Sequence, residues 1–173
     1  MGPGAGLPRS YQFAGLQFLV ARRNLLYRLV YINNEETAVH PSNPPEGFVP
    51  HFRDSGLTAP WKPLFSRFDG DAVIIGLRAG SAHANSRGLV HGGLIMALAD
   101  NAMGLSCGRA SGGSGLVTVA LTAEFLGVAR LGQWLEIRPR VLKAGRSLCF
   151  AAADIVADGV ACAHASATFK TAA

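Results

Sequence analysis

The run from Val90 to Leu105 limits what this 173-residue chain can fold into more than any other stretch. It reads Val-His-Gly-Gly-Leu-Ile-Met-Ala-Leu-Ala-Asp-Asn-Ala-Met-Gly-Leu, and only His91, Asp100 and Asn101 bring polar side chains to it. Such a segment is expected to form a helix, His91 to Arg109, buried on nearly all faces. Asp100 then needs explaining. An ionised carboxylate in that setting loses much of its hydration unless partners replace it. Folding rarely selects such a placement, and chemistry often does.

The flanking sequence says what wraps the helix. Ala72 to Arg78 reads as a strand after the Asp69-Gly70 turn. Ser111-Gly112-Gly113-Ser114-Gly115 ends the helix. Four more strands are predicted: Leu116 to Phe125, Gln133 to Val141, Ser147 to Ala157 and Val160 to Lys170. Their links, at Arg130-Leu131-Gly132, Lys143-Ala144-Gly145-Arg146 and Asp158-Gly159, look like hairpin connections between antiparallel neighbours. In the last strand Ala161, Ala163, Ala165 and Ala167 alternate with Cys162, His164, Ser166 and Thr168. One sheet face would be nearly all methyl groups, which lets a helix come close. The fold class is therefore α+β, with one long helix wrapped by a mostly antiparallel sheet.

Composition narrows the function classes. Hydrophobic content of 49% with 16% charged residues excludes disorder for the bulk of the chain. The net charge of +5 is too mild and too spread out for a nucleic-acid footprint, but it suits an anionic small molecule. Cys107, Cys149 and Cys162 lack metal-ligand spacing, so no metal site is expected. Each lies in an apolar or Ala-rich segment, which predicts buried free thiols in a reducing compartment.

The apolar run Phe13 to Ala21 is too short to span a bilayer. Residues 1–34 carry four Arg and no acidic residue. They read as an inert extension in a cytoplasmic protein, with an organellar transit peptide as the alternative. The expected organisation is an extension over residues 1–45, irregular or with one short helix from Gln17 to Val30, then one domain over residues 46–173.

The chemistry gathers around the helix. Gly92 and Gly93 leave backbone N–H groups uncovered at its positive end, which can hold a carbonyl oxygen gaining negative charge. Asp100 follows about two turns later. Asn85, in the preceding loop, can donate an amide N–H, and Thr118, on the next strand, offers a hydroxyl. His91 can cap the helix or touch the substrate. These are the parts needed for acyl transfer to water. Arg138, Arg140, Lys143 and Arg146 share one hairpin, either as a solvated face or as contacts for phosphates. Lys143 and Arg146, beside Gly145, are the preferred pair for phosphates.

The run from Asn85 to Asp100 (Asn-Ser-Arg-Gly-Leu-Val-His-Gly-Gly-Leu-Ile-Met-Ala-Leu-Ala-Asp), with Thr118, resembles the PaaI-like hotdog-fold acyl-CoA thioesterases. The resemblance covers residues 62–170 and includes Val141-Leu-Lys-Ala-Gly-Arg-Ser-Leu148. It implies a hotdog fold and a site at a homodimer interface, often in a dimer of dimers. It also implies carbonyl binding at Asn85 and Gly92, Asp100 as general base or nucleophile, and Thr118 orienting water. Gly93, Lys143 and Arg146 would contact the coenzyme A of the substrate, with no separate cofactor and no metal. Two other readings stand beside it. One is a hotdog dehydratase or hydratase, which would need a catalytic His paired with an acid. The other is a non-catalytic acyl-CoA-binding module.

Overall fold

The computed structural model describes residues 10–13, 16–19, 44–113 and 115–171. The chain divides into two units, residues 1–39 and 40–173. In the first, β1 (Ser10–Phe13) and β2 (Leu16–Leu19) pair antiparallel, with Phe13 opposite Leu16. This overturns the helix expected from Gln17, because Gln17 to Leu19 are in a strand. The local reason is strand propensity at Tyr11, Phe13 and Phe18. The rest of that expected helix lies outside the described residues.

Among its described residues the second unit holds one α-helix and a seven-stranded antiparallel sheet. The strands are β3 (Val49–Pro50), β4 (Phe65–Asp69), β5 (Ala72–Arg78), β6 (Leu116–Phe125), β7 (Trp134–Ala144), β8 (Leu148–Ala157) and β9 (Val160–Thr171). The helix α1 runs Gly92–Ala110 between β5 and β6. The sheet order is β3-β4-β5-β7-β8-β9-β6. The β8–β9 link is the two-residue turn read from the sequence, with Asp158 and Gly159 both at positive φ.

One expected neighbour relation fails. β6 and β7 are not adjacent: β6 lies at the sheet end beside β9, while β7 pairs with β5. The segment between them is a crossing, not a hairpin. Leu126 and Gly127 donate to the Cys162 carbonyl, Ala129 accepts from Val90, and Gly132 exchanges bonds with the Ala79 region. Each bond carries the chain further across the end of the sheet, so its backbone polar groups are satisfied by crossing.

The sheet curls around α1, whose buried residues include Leu94, Leu98, Ala102 and Met103. Ala163, Ala165 and Ala167 face the core as expected, together with Ala151 and Ala153 of β8. Ala161 does not. The register shifts between Ile155 and Val156, so Ala161 turns outward and Cys162 is buried in its place, its thiol donating to the Ile155 carbonyl.

Ser106 fastens the helix to the sheet from within this core. Its Oγ accepts the Val73 N–H at 2.9 Å and donates to the Ala102 carbonyl at 2.7 Å.

Two further expectations are corrected here. Cys107 and Cys149, read as free thiols, form a disulfide between the last turn of α1 and the start of β8, while Cys162 is free. The partners are 42 residues apart, and only the closed fold brings their Cα atoms to 6.0 Å. Second, α1 is not buried on all faces within one chain. Met96 is 37% exposed, and Gly93 stands on the same open side.

Candidate active site

Asp100 projects from the middle of α1 toward β6. There the Thr118 hydroxyl donates to Asp100 Oδ1 at 2.8 Å. Thr118 can reach inward because β6 breaks register between Thr118 and Ala120, where Thr118 faces Phe169 of β9. One carboxylate oxygen is thus held and oriented, and the other stays available. Asp100 is half-buried rather than enclosed, so the carboxylate keeps part of its hydration.

The pair lies in a cleft of about 630 Å³. Asn101, Gly104 and Leu105 continue its wall along the helix, and Phe52, Leu57 and Phe68 also line it.

A second group assembles at the helix start. His91 is the N-cap: its Nδ1 accepts the Gly93 N–H at 2.9 Å, and its carbonyl accepts from Leu94 and Ile95. Of the two readings of His91, the structure displays the cap. The Gly92 N–H is left without an acceptor among the described residues, pointing out of the positive end of the helix. A methyl group at Gly92 would come within 3.1 Å of the Phe125 ring, so a side chain there would crowd the approach to that amide.

Asn85 stands in the loop that leads into the helix. Its Oδ1 accepts from the backbone N–H groups of Arg87 and Leu89, at 2.8 and 3.2 Å. It is therefore a turn former, and these bonds leave its amide nitrogen as a donor. The loop is braced by His83, whose ring bonds to the Gly80 N–H and the Trp61 carbonyl.

The structure therefore brings Asp100 and Thr118 together, and separately Asn85, His91, Gly92 and Gly93. The two groups are about 12 Å apart along the helix axis. Lys143 and Arg146 form a third group on the β7–β8 hairpin. Arg138 and Arg140 of that hairpin are engaged with Glu136 and Asp154, whereas no ion pair holds Lys143 or Arg146 among the described residues. No cluster of His, Cys, Asp or Glu suited to a metal ion occurs among the described residues.

Sequence reasoning missed Phe52 and Leu57, which line the cleft. They lie in a Pro-rich stretch without periodicity, and nothing there signals a pocket. The loop is shaped by Ser55 and Thr58, which bond to each other at 2.9 Å.

Comparison with known proteins agrees with this architecture. Residues 87–163 match the family model described as "Thioesterase superfamily". A Pseudomonas aeruginosa protein named "Putative esterase PA0474" is 40% identical over 129 residues, 73% of this chain and 96% of that protein. Human "Acyl-coenzyme A thioesterase 13" is 31% identical over 83 residues, 48% of this chain and 59% of that protein. Among solved structures, zebrafish Thioesterase Superfamily Member 2 shares the fold at TM-score 0.64 and 23% identity, over 69% of this chain and 88% of that one. PaaI of E. coli does so at TM-score 0.59 and 20% identity, over 64% and 80%. With its central helix, enclosing antiparallel sheet and near full-length match to a relative at 40% identity, the chain belongs to the hotdog-fold thioesterase superfamily.

Proposed function

We propose that the protein hydrolyses acyl-CoA thioesters to a carboxylic acid and free coenzyme A. The observation that carries this reading is the Thr118–Asp100 hydrogen bond at the head of a partly apolar cleft. Thr118 fixes one carboxylate oxygen, and the second takes a proton from water as its oxygen attacks the thioester carbonyl carbon. The carbonyl oxygen gains charge against the Gly92 N–H and the Asn85 amide. The C–S bond then breaks, coenzyme A leaves as the thiolate, and the proton held by Asp100 passes to it. The acyl-CoA substrate is also suggested by the name of the human relative.

In this reading the active unit is a homodimer, which the distance between the two halves of the site supports. Gly92 and Asp100 of one chain, about 12 Å apart, cannot flank one carbonyl. Two chains related by a two-fold axis would bring Gly92 and Asn85 of one beside Asp100 and Thr118 of the other. The surfaces needed are open. β6 is the last strand of its sheet, Val117 and Val119 on it are about 60% exposed, and Met96 stands out from the helix. A long uncovered edge strand is a liability that pairing removes. Pairing of dimers into a tetramer follows the same resemblance.

A dehydratase is disfavoured by the histidines. His83 is bound into the loop through both ring nitrogens, and the His91 Nδ1 is engaged as the helix cap, so neither imidazole is set up as the proton-transfer partner of an acid. The test is release of free thiol from a set of acyl-CoA substrates. Steady thiol release that depends on Asp100 supports the proposal. Binding without turnover would make the protein a carrier, and hydration of an enoyl-CoA without thiol release would make it a hydratase.

A further inference from the structure

We infer that the cleft beyond Asp100 is a length gauge for straight medium-chain acyl groups, with Phe68 and Phe52 as its end wall. The inference rests on the thioesterase reading of Asp100 and adds the substrate class. Three observations carry it.

The first is the floor. Asp100, Gly104 and Gly108 follow one another at intervals of four residues, so they lie in a row along one face of α1, and all three line the cleft. Below the carboxylate this row has no side chains, which leaves a furrow. Phe169 of β9 lines the cleft beside Gly104 and forms the furrow's floor there: a methyl group on Gly104 would come within 3.3 Å of that ring. An extended chain starting at a carbonyl beside Asp100 can lie in the furrow, whereas a branched or bulky group would ride above it.

The second is the end. Phe52 and Phe68 face each other with ring centroids 5.6 Å apart. Phe68 is held from the helix side by Arg109, whose guanidinium lies 5.0 Å over the ring and donates to the Gly70 carbonyl at 3.2 Å. Both rings remain about half exposed in the free chain. Two large apolar side chains, positioned but uncovered, face a furrow that begins at a carboxylate. An acyl tail ending between them would bury that surface.

The third is length. From Asp100 to Gly108 the helix rises about 12 Å. At ~1.3 Å per methylene, as ordinary C–C bond lengths dictate for an extended chain, that holds roughly nine or ten carbons. Shorter chains leave the rings uncovered, and longer ones must displace Phe68 from beneath Arg109.

The experiment is a profile of kcat/KM against chain length, from acetyl-CoA to palmitoyl-CoA, with phenylacetyl-CoA as the aromatic comparison. The wild type is expected to peak at eight to ten carbons by this gauge. Gly108→Leu, a substitution that does not oppose helix formation, fills the furrow and should lower the decanoyl-to-butyryl ratio by about tenfold or more. Phe68→Ala should move the peak to longer chains. A flat profile, a peak at acetyl or phenylacetyl, or a ratio unmoved by Gly108→Leu in folded protein would overturn the gauge while leaving the thioesterase reading intact. Absence of thiol release from every substrate, with wild-type protein shown to be folded, would overturn both.

Discussion

The Thr118 hydroxyl and the Asp100 carboxylate meet at 2.8 Å across the gap between the sheet's last strand and the middle of the helix. The two residues are separated by 18 positions in the chain, and the glycine-rich turn after α1 is what returns the backbone to make this contact. In the proposed mechanism this bond divides the labour: Thr118 orients, and Asp100 reacts.

Asp100→Asn should therefore lower kcat by roughly 10²-fold or more while the circular dichroism spectrum and melting temperature stay close to wild type. The amide keeps the shape and loses the basicity. Thr118→Ala should cost less, because Asp100 alone still holds water in part. Equal losses in the two variants would show that Thr118 does more than orient.

Sharing of sites between chains is tested by complementation. Asn85→Ala and Asp100→Ala are each expected to be inactive. After subunit exchange, a mixed dimer carries both lesions in one site and none in the other. Activity should return to about a quarter of wild type for random mixing. Silence after exchange demonstrated by labelled subunits would place the whole site within one chain.

Lys143 and Arg146 of the β7–β8 hairpin, which hold no ion pair among the described residues, are proposed to meet the phosphates of coenzyme A. Lys143→Ala with Arg146→Ala should raise KM for acyl-CoA severalfold at low salt with little change in kcat, because contacts far from the reacting carbonyl hold ground and transition states alike. The difference should shrink as salt is added. An unchanged KM at low ionic strength would leave the hairpin as a solvated face.

His51 gives the domain a pH dependence with a definite sign. Burial holds its pKa below the ordinary 6.5, and nearby Arg53 and Lys62 push the same way, against Asp54. Neither ring nitrogen has a hydrogen-bond partner among the described residues. The unfolded chain therefore takes up the proton first, and stability falls as pH drops below about 6.5. Asp154 acts in another window. Its hydrogen bond to His164, aided by Arg140, lowers its pKa below 3.8, so its contribution is lost only at stronger acidity. Melting temperature should thus decline from pH 7 to pH 5 in the wild type, and the decline should flatten in His51→Gln. Parallel curves for the two proteins would remove His51 from this role.

Residues 1–40 are expected to be dispensable, since the unit boundary falls at position 39 and the regular core lies beyond it. The truncated chain should retain its kcat/KM within about twofold and its melting temperature within a few degrees. Insoluble or inactive protein would assign the segment to the domain or its assembly.

Much of the fold was legible where one interaction dominates locally. The bounds of β5 and β6 follow from turn residues and apolar patterning, and the end of α1 follows from its glycine run. The site motif was legible for a related reason, since Asn85, His91, Gly92 and Asp100 lie on one loop and one helix. What stayed hidden depends on contacts between distant segments. The Cys107–Cys149 pair has no spacing signal, and the bulge that exchanges Ala161 for Cys162 is decided by β8 as much as by β9. The β6–β7 crossing looked like a hairpin because its turn residues are real, while the bonds that carry it across the sheet belong to Cys162, Val90 and Ala79. The open side of α1 was unreadable because apolar residues look alike whether a sheet or a second chain covers them.

Ser106 has a bearing on this chemistry although it touches none of it. Six residues beyond Asp100, it lies roughly a third of a turn around the helix from it, and it grips the Val73 N–H inside the core. That bond fixes the azimuth of the helix. Were α1 to slip by one residue against the sheet, every side chain would swing about 100°, and Asp100 would face away from Thr118. A buried hydroxyl a third of a turn away thus serves as the key in its slot, holding the carboxylate where the Thr118 hydroxyl can reach it.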